Sequence, residues 1–425
     1  MNNRWLAMCA LMLGALHGCG SGGGDSSSSS STTTSTTTPV AAANTLALTV
    51  DGGPAALQST GVETVNTLFA TVTICTPGST TACKTVDHVL VDTGSVGIRI
   101  IASALGGAAV PTLATDPTTG GPLRECAQFA DGYSYGSVAT ADVQLGGRTL
   151  AALPIQLIGD AAAGSAPASC VSGPSENTVA TFGSNGVIGV GSFTEDCGAA
   201  CASSAISGVY YACPTRNAVV GCAPTAVALA RQIPNPVSQL TSDNNGVTIQ
   251  LPSLPTSGAA STSGTLYFGV ATQADNALAS ARFLTLTSSG TLTVTYNGTA
   301  RSGSFIDSGS NGNFFTDASI ALCSDSSGFY CPVTASGAAT TLSLSAIVTG
   351  ANGVSSTVGF TVGNADQYFS STSTALPGLA GRNTDLANAS SSAFDFGLPF
   401  FYGRTVYVLI AGSSVNGTAG PAIAF

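Results

Sequence analysis

The sequence predicts an all-β fold with few short helices, assembled from two related halves. Three observations predict it: a composition poor in helix formers, a series of short apolar runs cut by turn residues, and an internal repeat centred on two aspartates. Hydrophobic residues make up 44% of the 425-residue chain, enough for a large core. Charged residues are only 8%, far below the usual quarter. Glycine is abundant, Ser and Thr dominate the polar set, and Lys84 is the one lysine. Such a chain favours strands and turns over long helices. The net charge of −10 leaves no basic patch, so no nucleic-acid partner is expected. With His17 and His88 as the only histidines, neither metal, cofactor nor histidine-based acid–base chemistry is expected.

The strands follow in order. Leu68 to Cys75 alternates, Thr76-Pro77-Gly78 is a turn signal, and Val86 to Val91 is the return strand. Tyr135 to Leu145, Gly146-Gly147 and Leu150 to Ile158 read as a second hairpin. Gly186 to Gly191 is an apolar strand punctuated by glycine, and 196–233 is Cys-rich and irregular. Pro236 to Leu240 predicts a short helix. Further strands are expected at Val247 to Leu251, Thr265 to Val270, Phe283 to Leu286, Thr291 to Tyr296 and Ser304 to Asp307. Thr341 to Val348, Val358 to Val362 and Thr405 to Ile410 complete the set.

The repeat organises this series. Val91-Asp92-Thr93-Gly94-Ser95-Val96-Gly97 returns as Ile306-Asp307-Ser308-Gly309-Ser310-Asn311-Gly312. About 90–100 residues after each Asp comes a strand ending in Gly: Val187-Ile188-Gly189, then Asp395-Phe396-Gly397, where Asp395 fits poorly. One Asp-Ser-Gly-Ser in so Ser/Gly-rich a chain is ordinarily a turn. Two copies, each with its own Gly strand, predict duplication and pseudo-twofold symmetry.

This pattern resembles the pepsin-type aspartic peptidases over about 44–425, and in particular an uncharacterised group of bacterial lipoproteins known as a domain of unknown function. The resemblance implies a bilobal fold, with an N-terminal lobe over 44–272 and a C-terminal lobe over 273–425. It implies that Asp92 and Asp307 form a catalytic pair across the lobe junction. Thr93 and Ser308 would brace the two loops, Gly94 and Gly309 would permit close backbone approach, and Ser95 and Ser310 would bond the outer carboxylate oxygens. Two departures stand out. Arg99 occupies the position where the family usually has Trp, and the hairpin that should cover the cleft is short. Tyr133 matches the covering tyrosine, with Tyr135 as the alternative. His88, on the same strand face as Asp92, reads as a half-exposed strand residue, and Arg99 reads as a surface ion pair.

The N-terminus reads as an export signal over 1–18. Leu16-His17-Gly18-Cys19 resembles a bacterial lipobox with Cys19 as the lipidated residue, and 19–43 reads as a Gly/Ser/Thr-rich tether. Gly20 follows the lipidation site, which points to the outer membrane, on its periplasmic or surface face. Ten further cysteines are expected to form disulfides in an exported protein. Cys75–Cys83 and Cys323–Cys331 would close hairpins, Cys126–Cys170 is a third pair, and Cys197, Cys201, Cys213 and Cys222 have open pairing. The chain is expected to be a monomer, bound to a membrane through its lipid and to a peptide or protein substrate in the interlobe cleft. The leading expectation is an aspartic endopeptidase of the cell envelope. The alternatives are a non-catalytic peptide- or glycan-binding module on the same scaffold and a structural β-protein with chance Asp motifs.

Overall fold

The fold is all-β, with four short α-helices among the described residues. The computed structural model describes residues 44–215, 221–325, 327–383 and 393–425. The expected export signal, Cys19 and the tether lie outside them.

In the first half, the apolar alternation of Leu68–Cys75 pairs it antiparallel with Cys83–Asp92. The latter lies parallel to Gly186–Val190, which also pairs antiparallel with Val96–Ile101. Arg148–Ile158 and Tyr133–Leu145 continue the sheet, and Tyr133–Leu145 returns to Leu68–Cys75, closing the lobe on itself. The second half carries a seven-stranded sheet that includes Leu292–Tyr296, Thr299–Ile306 and the paired strands Leu342–Thr349 and Ser355–Val362.

Between the lobes runs a shared layer. Its strand order is Thr45–Val50, Thr262–Phe268, Gly246–Gln250, Thr405–Leu409, Ala422–Ala424 and Leu284–Thr285. Chain from both halves is therefore hydrogen-bonded into one sheet, and one hydrophobic cluster runs continuously from Leu46 to Ile423. Such shared burial makes separation of the lobes costly.

The repeat seen in the sequence returns as strand register. Leu90 and Val91 lie opposite Val187 and Ile188, and Phe305 and Ile306 lie opposite Asp395 and Phe396. On the other side of each Gly strand, Ile98 opposes Ile188 and Asn313 opposes Phe396. Counted from each Asp, the positions are the same. Each loop thus leaves one strand beside the Gly strand and returns on its far side.

Five disulfides tie the loops: Cys75–Cys83, Cys126–Cys170, Cys197–Cys201, Cys213–Cys222 and Cys323–Cys331. The pairing left open in the Cys-rich segment is therefore sequential.

Asn66, unremarked in the sequence, joins the halves. It is fully buried and adopts φ 49°, a left-handed conformation that Asn tolerates. Its Nδ2 donates to the carbonyls of Asn311 and Leu376, both at 2.8 Å. Its Oδ1 accepts from the Leu376 amide at 2.7 Å and the Tyr402 hydroxyl at 2.8 Å. All four side-chain positions are used, and one of them holds the second Asp loop. Replacing Asn66 by Leu strands these partners in a dry environment at about 1–3 kcal/mol each. The expected result is a loss of at least about 2 kcal/mol in denaturant unfolding, and an unchanged midpoint would refute the role.

Candidate active site

Asp92 ends Cys83–Asp92 and Asp307 directly follows Thr299–Ile306; each strand is buried over its last residues, and both Asp residues are fully buried. The chain then turns sharply. The Gly94 amide donates to Asp92 Oδ1 at 2.7 Å, and the Gly309 amide to Asp307 Oδ1 at 2.8 Å. The loops interlock reciprocally: the Thr93 amide donates to Ser308 Oγ at 3.1 Å, and the Ser308 amide to Thr93 Oγ1 at 2.9 Å. Ser308 Oγ in turn donates to the Val91 carbonyl at 2.8 Å. A Cβ on Gly94 would lie 2.5 Å from Asp307 Oδ2, and one on Gly309 2.7 Å from Asp92 Oδ1. Only glycine allows that approach.

The two carboxyl groups lie close together: a Cβ on Gly309 would sit 2.7 Å from Asp92 Oδ1 and 3.2 Å from Asp307 Oδ1. Burial and the adjacent Asp92 push Asp307 well above the ordinary carboxylate range. The charge of Asp395 adds to this, against the Gly309 amide. Asp395 was the misfit of the repeat, and the structure gives it a place. It is buried beside Phe305, and Ser310 Oγ donates to its Oδ2 at 2.7 Å. The same hydroxyl stands 3.4 Å from Asp307 Oδ2. Ser310 therefore serves Asp395 more closely than Asp307. Ser95 also departs from its expected contact. Its hydroxyl is buried without a hydrogen-bonding partner, so it does not donate to Asp92.

Tyr133 and Tyr135 lie on Tyr133–Leu145, which forms an antiparallel hairpin with Leu123–Gln128, Tyr133 opposite Gln128 and Tyr135 opposite Cys126. Tyr133 and Tyr135 are buried in a cluster with Cys126, Cys170 and Tyr211, and neither lines the cavity described below. Tyr135 packs edge-on to Tyr211 at 6.3 Å, and burial raises its hydroxyl to about 12.

His88 pairs with Asp51 and Asp87 and packs edge-on to Phe69, in a left-handed bend. It is partly exposed, as read from the sequence. Arg99 is corrected. Far from a surface ion pair, it is fully buried, bonded to Glu125, to the Val96 carbonyl at 2.6 Å and to Asp196 at 3.4 Å. Burial opposes its charge, but the two carboxylates outweigh it and raise its pKa. Asp196 also accepts from Tyr210 at 2.7 and 2.8 Å. Its own pKa stands well above the usual range because of burial and the neighbouring Glu125, against the pull of Arg99. A planar guanidinium thus holds together three separated segments of chain.

A cavity of about 420 Å³ opens against the two loops. Thr93, Gly94, Ser95 and Val96 form one side, and Phe305 and Ile306, the residues just before Asp307, form another.

The family model described as "Protein of unknown function (DUF3443)" matches residues 40–425. The chain belongs to that family. Among solved structures, this DUF3443 protein is similar to the crystal structure of aspartic proteinase from Irpex lacteus. The identity is 15% and the TM-score 0.49, covering 89% of this chain and 96% of that one. No curated protein matches.

The raised Asp307 sets a pH dependence of stability. An unfolded Asp titrates near 3.9, so between that value and its higher folded pKa the folded state binds the extra proton. Stability from this group is full below about pH 4 and is lost as pH rises through the folded pKa. Asp307→Asn removes that loss. The melting temperature of the variant relative to wild type should therefore climb as pH rises above about 4. A difference that falls with rising pH would contradict the assignment.

Proposed function

We propose that this DUF3443 protein is an aspartic endopeptidase of the cell envelope, in which Asp92 and Asp307 activate a water for attack on a peptide bond. One observation carries the reading: two buried carboxyl groups close together, each held by the amide of its own glycine, on loops that bond each other reciprocally. Such a pair holds one proton because two adjacent charges in a dry site are costly. Asp307, the carboxyl held protonated, donates to the scissile carbonyl oxygen. Asp92 takes a proton from the water as it attacks the carbonyl carbon. The tetrahedral diol then collapses: the C–N bond breaks, the amine leaves with a proton from the pair, and the acid product retains the water oxygen. The envelope assignment is supported by the Cys19 motif and by the five disulfides, which suit an oxidising compartment.

A second reading, a non-catalytic peptide- or glycan-binding module on the same scaffold, draws on one observation. Tyr133 and Tyr135 are buried and neither lines the cavity beside the Asp loops. The two readings separate on the dyad. Purified protein incubated with an unfolded protein substrate from pH 3 to 7 is expected to cleave it. Asp92→Asn and Asp307→Asn should each lose about 10²–10⁴-fold in kcat/KM or more. Equal cleavage by wild type and both variants would end the peptidase reading. A biological activity kept intact by the double variant would favour the binding module.

A further inference from the structure

We propose that the cavity beside the dyad is a side-chain pocket selecting a peptide with a long basic residue, Lys or Arg, next to the scissile bond, and that Glu195 sets this preference. The inference rests on the peptidase reading. Thr93 and Ile306, the residues next to Asp92 and Asp307, line the cavity, so a side chain held there belongs to a residue at or beside the bond under attack.

The walls suit an aliphatic stem. Val96, Phe193, Leu286, Leu292, Ile306 and Val408 line the space, and its volume lies in the range of pockets that enclose small ligands. Against these walls stand two carboxyl groups, Glu195 and Asp196, and no cation lines the cavity among the described residues. Asp196 is already engaged by Arg99 and Tyr210. Glu195 is half-buried and accepts one bond at its Oε2, from Thr194 Oγ1 at 2.6 Å. A carboxylate accepts about four, so capacity remains.

A second, independent observation points the same way. Ser95 Oγ is buried, lines the cavity and has no partner. A buried hydroxyl left unbonded costs about 1–3 kcal/mol, which a ligand donor would relieve. An ammonium or guanidinium group brings several donors and no acceptor. It matches one open carboxylate and one open hydroxyl better than a neutral or acidic tip does. The protein's net charge of −10 favours the approach of such a substrate.

The test compares peptides that differ only in Lys against norleucine at each position flanking the cleaved bond. Wild type is expected to prefer Lys at one position, and Glu195→Gln to reduce that Lys/norleucine ratio of kcat/KM by at least about 10-fold. Cleavage with no basic preference at any flanking position, or a preference untouched by Glu195→Gln, overturns the pocket while leaving the peptidase reading intact. If no peptide is cleaved, the peptidase reading fails on its own. The pocket is then decided by calorimetry with the same peptides on wild-type protein: tighter binding of the Lys peptide supports it, and equal affinities overturn it.

Discussion

The reciprocal bonds between Thr93 and Ser308 are the constraint on which the rest of the structure depends. Each loop gives its amide to the hydroxyl of the other, so neither loop keeps its shape without its partner. That contact brings backbone against carboxylate, which is why Gly94 and Gly309 cannot carry a Cβ. It also fixes how the strands behind must run. Each Asp strand lies parallel to its Gly strand in one register, and the register recurs in both halves. The shared sheet and Asn66 then hold the two halves at the separation the loops demand. Asn235 performs a local version of the same task, bonding the Gly191 and Phe193 carbonyls and thereby fixing one wall of the cavity.

Much of this was legible in sequence because it rests on local pattern. Strands such as Leu68–Cys75, Arg148–Ile158 and Thr405–Leu409 announce themselves by apolar runs between turn residues. The Asp loops announce themselves by repetition. What escaped was set by tertiary contact. Leu123–Gln128 carries Arg124 and Glu125 on a strand that is buried on both faces. Such residues break the alternation a strand should show, and partners distant in sequence accommodate them: Arg99 bonds Glu125, and the Ala162 carbonyl accepts from Arg124 at 2.6 Å. Thr45–Val50 does alternate, its inward residues being Leu46, Leu48 and Val50. It closely follows the Gly/Ser/Thr-rich segment 19–43, and a single short alternation there has no repeat to support it. Asn66 and Asn235 had no signal at all, since a buried Asn and a turn Asn look alike in sequence.

The Arg99 site shows how a core position can be filled by bonding instead of apolar area. The residue seven past the first Asp occupies a fully buried space beside Leu123–Gln128, and its guanidinium needs two carboxyl groups and a phenol to be tolerated there. Removing one partner from such a buried set costs about 3–5 kcal/mol, so the four residues behave as a unit. Through Asp196 the unit extends to the cavity wall, and the charge facing the cavity follows from how the core was filled.

Backbone symmetry around the two Asp residues goes with electrostatic asymmetry. At matched positions of the two Gly strands stand Val187 and Asp395. The first is neutral. The second places another carboxyl next to the second loop, where Ser310 bonds it more closely than it bonds Asp307. A third buried carboxyl beside one member of a close pair makes the negative charge of that member more expensive. Asp307 therefore feels a buried carboxyl that has no counterpart beside Asp92, and the two halves differ electrostatically where their backbones match.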